Sequence, residues 1–434
     1  LNPTPSTAYK INSDKDITVV IDDDVIVAGP EHNLFIEDAA NFNLTVNSEK
    51  TFKNEAGSYG GQTYEDVFAG LSSDEFTATS GTTTLDGTPI SWSLSADTND
   101  LTIESSETPQ SGEVVHIDDE SLVDGSITNY GTIWSTENNA IAFDNTTITG
   151  TFNIYNNDSE SVIESDSKNP DEAAILIKDT TGTINITNAG TITSSTYGIL
   201  NKGSTINSFI NSGTLETTGE WSTSLDIGSL YNDEASTITS LTNDSTGIMQ
   251  GTKPNRSGIV NKGTISTLTN SGTIQGTGGT LSYGLYNTGT INSLYNDSAG
   301  TISSKQSKGL YNAGTITTLT NSGTIKGTGV TNSEGLYNSG TITLLTNDLG
   351  AVISSDKTHG LYNTATINRL YNEGTISSIS ATSGYGLYNT SSNTIVDLEN
   401  TGTISSSSSH AIVNTGRIID INNTLTISGA SASE

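Results

Sequence analysis

Few residues in this chain could do chemistry, and their spacing is informative. The four histidines, His32, His116, His359 and His410, all lie more than four residues apart. No two of them can form the close pair that holds a metal on a helix or hairpin. Each is expected to be a surface residue with no metal or catalytic role. The chain has no cysteine, so thiolate metal sites and disulfides are excluded. Two acidic runs, Asp22-Asp23-Asp24 and Asp118-Asp119-Glu120, could attract calcium, a hard cation that prefers carboxylates. Neither has EF-hand spacing or a Gly-Gly-x-Gly-x-Asp repeat, so both read first as solvated acidic loops. The nucleophile turns Gly-Asp-Ser-Gly and Gly-x-Ser-x-Gly are absent. Glycan-cleaving sites need converging carboxylates, whereas the acids of the regular coils are scattered on loops and bases are sparse. No catalytic residue, metal or cofactor is therefore expected.

The tyrosines are different. Tyr286, Tyr311, Tyr337, Tyr362 and Tyr388 each occupy the third place of a Gly-Leu-Tyr-Asn phrase, and Gly258-Ile-Val-Asn is a variant of it. The steps between these glycines are 26, 25, 26, 25 and 26 residues. A fixed period of this size marks a solenoid. If Leu and Asn face inward, Tyr faces outward, and the five tyrosines stack on successive coils, with Val260 and Val413 continuing the line. Such a ladder either stabilises itself through its rings or offers a sticky stripe to another copy of the chain or to sugar rings. These five tyrosines are the candidate binding residues.

The elements that must hold them follow from the phrase Leu319-Thr-Asn-Ser-Gly-Thr-Ile325. Leu319, Asn321, Gly323 and Ile325 fall at every second position and share one face of a strand. Leu and Ile suit a core. Gly permits a sharp inward corner, and the Asn amide can pair with the Asn one coil away. The phrase occurs twice per period, which gives two corners, three short strands and a further loop. The expected fold is therefore all-β: a parallel β-helix with about 25 residues per coil and roughly twelve coils between Gly125 and Ile427. No helical 3.6-residue period appears. The loop before each Gly alternates between nine and six residues, so the true unit is a 51-residue pair of coils. Residues 1–53 read as a cap and first irregular coils, built on Ile17–Ile21, Val25–Val27, Asn33–Ile36 and Phe42–Val46. Residues 54–124 read as a β-hairpin elaboration or irregular coils, with strands near Phe76–Ser80, Thr82–Leu85, Ile90–Leu94 and Leu101–Ile103 and a turn at Asp86-Gly87. Residues 125–429 are regular coils, and 430–434 form a tail.

Net charge is −32, from 48 acidic and 16 basic residues. Such a surface repels nucleic acid and anionic membranes, so neither is expected as a partner. No apolar run reaches transmembrane length. Leu1-Asn-Pro-Thr-Pro is no signal peptide, and the chain reads as a mature or trimmed fragment. An irregular acidic N-terminus, cysteine-free Ser/Thr/Asn/Gly coils and repeated Asn-x-Gly-Thr-Ile phrases together resemble the passenger domains of bacterial autotransporters, most closely the self-associating adhesins. The resemblance covers residues 125–429 well and the N-terminal part loosely. It implies a right-handed helix and display on the Gram-negative cell surface through a C-terminal outer-membrane β-barrel translocator. No strands for that barrel follow Ile427. It further implies cell attachment, autoaggregation or biofilm formation, with another copy, a host-surface protein or a glycan as partner. The alternatives are a polysaccharide-degrading β-helix enzyme and, from Thr-x-Thr at Thr191, Thr315 and Thr341, an ice-binding β-helix.

Overall fold

The computed structural model describes residues 124–219, 227–279, 281–329, 332–379, 384–390 and 393–430, together with the strands named below and Asn47, Lys50 and Val114 in the first 117 residues. Among the described residues there are strands and no helix. The strands make about twelve coils of a parallel β-solenoid with three strands per coil, preceded by two irregular coils. The chain divides into two compact units, Leu1–Ser208 and Phe209–Glu434.

The first unit opens with β1 (Thr7–Asn12), β2 (Asp16–Ile21) and β3 (Val25–Ala28), followed by β4 (His32–Asp38), β5 (Asn41–Val46) and β6 (Thr51–Glu55). A hairpin, β7 (Ser80–Leu85) and β8 (Thr88–Leu94), and the short β9 (Thr102–Ile103) come next. The coil of β10 (Val115–Ile117), β11 (Asp124–Asn129) and β12 (Thr132–Ser135) then begins the regular series. Three sheets result, A, B and C. β1, β4 and β10 are parallel neighbours in A, β2, β5 and β11 in B, and β3, β6 and β12 in C. β1 to β6 thus pair, strand by strand, ahead of the regular series. β10 is a Val-His-Ile strand with none of the repeat phrase, which hides the start of its coil upstream of Gly125.

The hairpin closes the first coil. β8 runs antiparallel to β2, from Ile17 opposite Leu94 to Val20 opposite Ser91. β9 runs antiparallel to β1. Antiparallel partners thus cover the edges of the first strands in sheets A and B, where open backbone groups would invite further pairing. Asp86-Gly87 and both acidic runs lie outside the described residues.

The second unit has the plainest grammar. Leu310–Asn312 lies in sheet A, Thr315–Asn321 in B and Thr324–Gly327 in C. Each pairs in register with the same phrase of the next coil, as Leu310 with Leu336, Leu319 with Leu345 and Ile325 with Ile353. Leu310, Ile316, Leu319 and Ile325 are fully buried. Like stacks on like along the solenoid, so each apolar side chain is covered by its counterparts above and below. The corner Asn residues are equally buried and hydrogen-bond in one direction. Asn287 Nδ2 donates to Asn312 Oδ1 at 2.8 Å, and Asn312 Nδ2 to Asn338 Oδ1 at 2.8 Å. The second corner repeats this from Asn296 to Asn321 and from Asn321 to Asn347. Corner glycines stack as closely: a Cβ on Gly340 would lie 2.0 Å from the carbonyl oxygen of Gly314.

The two-coil unit also has a structural mark at the corner between B and C. Ser271 Oγ, on a short corner, donates to Asp297 Oδ2 on the following long corner at 2.6 Å. Ser322 repeats this to Asp348 Oδ2 at 2.5 Å. Alternate corners therefore differ in chemistry as well as in length.

Candidate functional site

Sheet A of the second unit carries the tyrosines. In each strand Leu and Asn are buried and the residue between them is half-buried, as the alternation of a strand requires. The five rings stack on successive coils. Centroids are 4.9 Å apart between Tyr286 and Tyr311, 4.8 Å between Tyr311 and Tyr337, 5.1 Å between Tyr337 and Tyr362, and 5.0 Å between Tyr362 and Tyr388. Interplanar angles run from 4° to 25°. Val260 and Val413 occupy the same register position at either end.

This geometry decides what the ladder offers. Tyr311, Tyr337 and Tyr362 have a ring neighbour on both faces, so those faces are already covered. Ring edges and hydroxyls remain to face outward. Two hydroxyls are tied locally: Ser339 Oγ donates to Tyr311 Oη and Thr364 Oγ1 to Tyr337 Oη, both at 3.4 Å. A sugar stacks on an open aromatic face, and the interior of this ladder has none. Burial, with the neighbouring Tyr337, Tyr388 and Glu334 adding to it, pushes the Tyr362 phenol above its ordinary pKa.

The structure adds one tyrosine to the line. Tyr231 pairs in register with Val260 and lies under Lys262, whose Nζ is 5.5 Å from the ring centroid. Its phrase, Gly228-Ser-Leu-Tyr-Asn232, carries one extra residue after the Gly, which conceals it from the pattern.

A second line runs beside the first and was not singled out in the sequence. It consists of the residue immediately before each Gly: Tyr283, Lys308, Glu334, His359, Tyr385 and His410, the last preceding Ala411. Tyr283 packs against Tyr286 at 5.1 Å and Tyr311 at 5.4 Å. Lys308 Nζ lies 5.5 Å from the Tyr337 centroid and 3.7 Å from Glu334 Oε2. That ion pair is well covered, with side-chain exposures of 12% and 5%. Burial lowers the Lys308 pKa, and Glu334 opposes the shift. The signal was present as a fixed position where Lys, Glu, His and Tyr break a frame of Ser, Thr, Asn and Gly.

His359 belongs to this line, which corrects the surface role expected for it. Its ring lies 4.9 Å from that of Tyr385, 14° from parallel, with Tyr362 and Tyr388 each 5.1 Å away. Burial among these rings lowers its pKa to about 4. His116, in β10, is also buried, at 8% exposure. Its alternation with Val115 and Ile117 is overridden because the whole strand is covered. His410 is exposed, as expected.

The first unit has a different feature. Successive loops between sheets C and A form an open cleft of about 650 Å³, lined among others by Glu137, Asp166, Lys168 and Glu172. Trp134 Nε1 donates to Asp166 Oδ2 at 2.8 Å. Glu172 accepts from Asn169 Nδ2 at 2.8 Å and from the Ser167 hydroxyl. Among the described residues no cluster could hold a metal ion, and no helix is long and apolar enough to cross a membrane. The chain matches no protein-family model, no curated protein and no solved structure.

Proposed function

We propose that this chain is a surface adhesin whose extended sheet-A face mediates self-association, consistent with its resemblance to autotransporter passengers of the self-associating type. One observation carries the reading. The chain has a net charge of −32, yet the half-buried outward residues of the sheet-A strands from Leu285 to Asn414 are Tyr286, Tyr311, Tyr337, Tyr362, Tyr388 and Val413, none of them charged. Glu334, the acid in the line beside them, is paired with Lys308. Two strongly acidic copies repel each other at most orientations, and a neutral aromatic strip is where they can approach. Many weak contacts repeated on successive coils sum through avidity. Displaying the chain on bacteria that do not clump, and following their settling, tests this. The reading predicts rapid settling, and unchanged settling contradicts it.

The cleft of the first unit supports a second reading, a polysaccharide-processing site. Carboxylates, the groups that glycoside cleavage uses, line it together with Lys168. Release of reducing ends from acidic and neutral polysaccharides, lost in Glu137→Gln, would support that reading.

A further inference from the structure

The tyrosine ladder holds oxidisable rings in contact, and that juxtaposition has a chemistry of its own. A phenol gives an electron and a proton to a one-electron oxidant. The chain has no cysteine to intercept such an oxidant, and its single methionine, Met249, is fully buried. From Tyr286 to Tyr388 the ring centroids are 4.8–5.1 Å apart and the planes lie within 25° of parallel. Rings this close exchange an electron more quickly than a radical meets another molecule. Two phenoxyl radicals held side by side also react as parts of one molecule, with no encounter step.

The charges beside the stack are not symmetric. Lys308 Nζ lies 5.5 Å from the Tyr337 centroid and 6.0 Å from that of Tyr283. A cation there opposes removal of an electron from those rings. The negative charge of its partner Glu334 is felt at Tyr362, and an anion favours that removal. Tyr362 and Tyr388 are also the most nearly parallel pair, at 4°. The ring they share as a neighbour, His359, is 5.1 Å from each and accepts the backbone N–H of Tyr385 on Nδ1, which keeps it uncharged.

We propose that the ladder is a site of oxidative modification, which passes an oxidising equivalent along its stack and closes a dityrosine bond between Tyr362 and Tyr388. The oxidant is hydrogen peroxide acting through a haem peroxidase. Each phenol gives up one electron and one proton. The two radicals join through ring carbons next to their hydroxyls, on the outward edge of the half-buried rings, and the hydrogen on each of those carbons moves to the oxygen. Two hydrogen atoms leave in all, and one peroxide takes them up to give two waters. The bond ties two adjacent coils together across 26 residues, a covalent staple in a chain without disulfides. This inference does not depend on self-association.

Two tyrosines of sheet B supply the contrast. Tyr295 is 40% exposed, yet it stands between Thr269 and Thr320. Tyr371 stands between Thr346 and Glu399. An oxidant that chose by exposure alone would choose Tyr295.

The test treats the purified full chain with a haem peroxidase and limiting hydrogen peroxide. Dityrosine fluorescence gives the yield, and mass spectrometry maps the joined peptides. The product should form within single chains, in a yield unchanged by dilution, and should join Tyr362 to Tyr388. Tyr362→Phe keeps a ring in the stack but has no phenol, and should lose this product. Lys308→Met with Glu334→Gln removes both charges, and cross-links should then spread to Tyr337. The map on the parent chain decides without either variant. Product chiefly at another pair of the ladder overturns the steering by Lys308 and Glu334. Product that is intermolecular, that lies off the ladder, or that fails to form overturns the site itself.

Discussion

The backbone N–H of Tyr385 donates to Nδ1 of His359 at 3.1 Å, while their rings lie 4.9 Å apart and 14° from parallel. Accepting that bond requires an unprotonated Nδ1. The folded chain thus holds His359 neutral, with a pKa of about 4 against an ordinary value of 6.5. The unfolded chain binds the proton first as pH falls. The stability from this residue is complete above about pH 6.5 and is lost progressively as pH falls toward 4. The ring is partly solvent-screened, so the loss amounts to about 2 kcal/mol. In His359→Phe, which keeps a ring but cannot titrate, the difference in urea midpoint between about pH 7 and about pH 4.5 should be smaller than in the parent chain. An equal difference would place the acid sensitivity elsewhere.

Asn321 receives from Asn296 Nδ2 at 2.8 Å and donates to Asn347 Oδ1 at 2.8 Å and to Gly323 O at 3.2 Å. Asn321→Leu would take from Asn296 Nδ2 its shortest acceptor, leaving it Gly300 O and Thr324 O at 3.2 Å, and would remove the donor to the buried Asn347 Oδ1, at a cost of about 1–3 kcal/mol. Coils interact mainly with their neighbours. Hydrogen exchange should therefore quicken in the adjoining coils, around Asn296 and Asn347, and much less in coils further along.

The corner at Ala365 is a natural experiment. It stands where the neighbouring coils have Gly340 and Gly314. The hydrogen bond from Thr366 N to Gly340 O is 3.2 Å, against 2.8 Å for Thr341 N to Gly314 O. A methyl group at this corner lifts the coil slightly off its neighbour. Gly340→Ala, whose Cβ would meet Gly314 O at 2.0 Å, should cost about 1–3 kcal/mol by thermal or urea unfolding. Ala365→Gly should change stability by less than about 1 kcal/mol.

Much of this architecture is legible from residue types. The spacing of Leu319, Asn321, Gly323 and Ile325 assigns core, amide ladder and corner at once, because a strand alternates and like stacks on like. The five tyrosines of the ladder follow from the same rule. What escapes is whatever the phrase does not spell. Tyr231 is hidden by an inserted Ser229, and β10 by the absence of corner residues. The line from Tyr283 to His410 precedes its strands in sequence, so alternation gives no face for it. Its packing onto the ladder arises only when the loops fold back. His359 therefore looked like a surface residue until the rings around it were placed.

The central claim is that the tyrosine rings serve association beyond what folding requires of them. Val260 and Val413 already occupy the same register position, so the fold accepts valine there. The direct measurement is settling of cells displaying the triple variant Tyr311→Val, Tyr337→Val, Tyr362→Val, with circular dichroism of the purified chain as a control. The account predicts an unchanged β spectrum and loss of settling. Settling equal to that of the parent chain, with the rings gone and the fold intact, would contradict it.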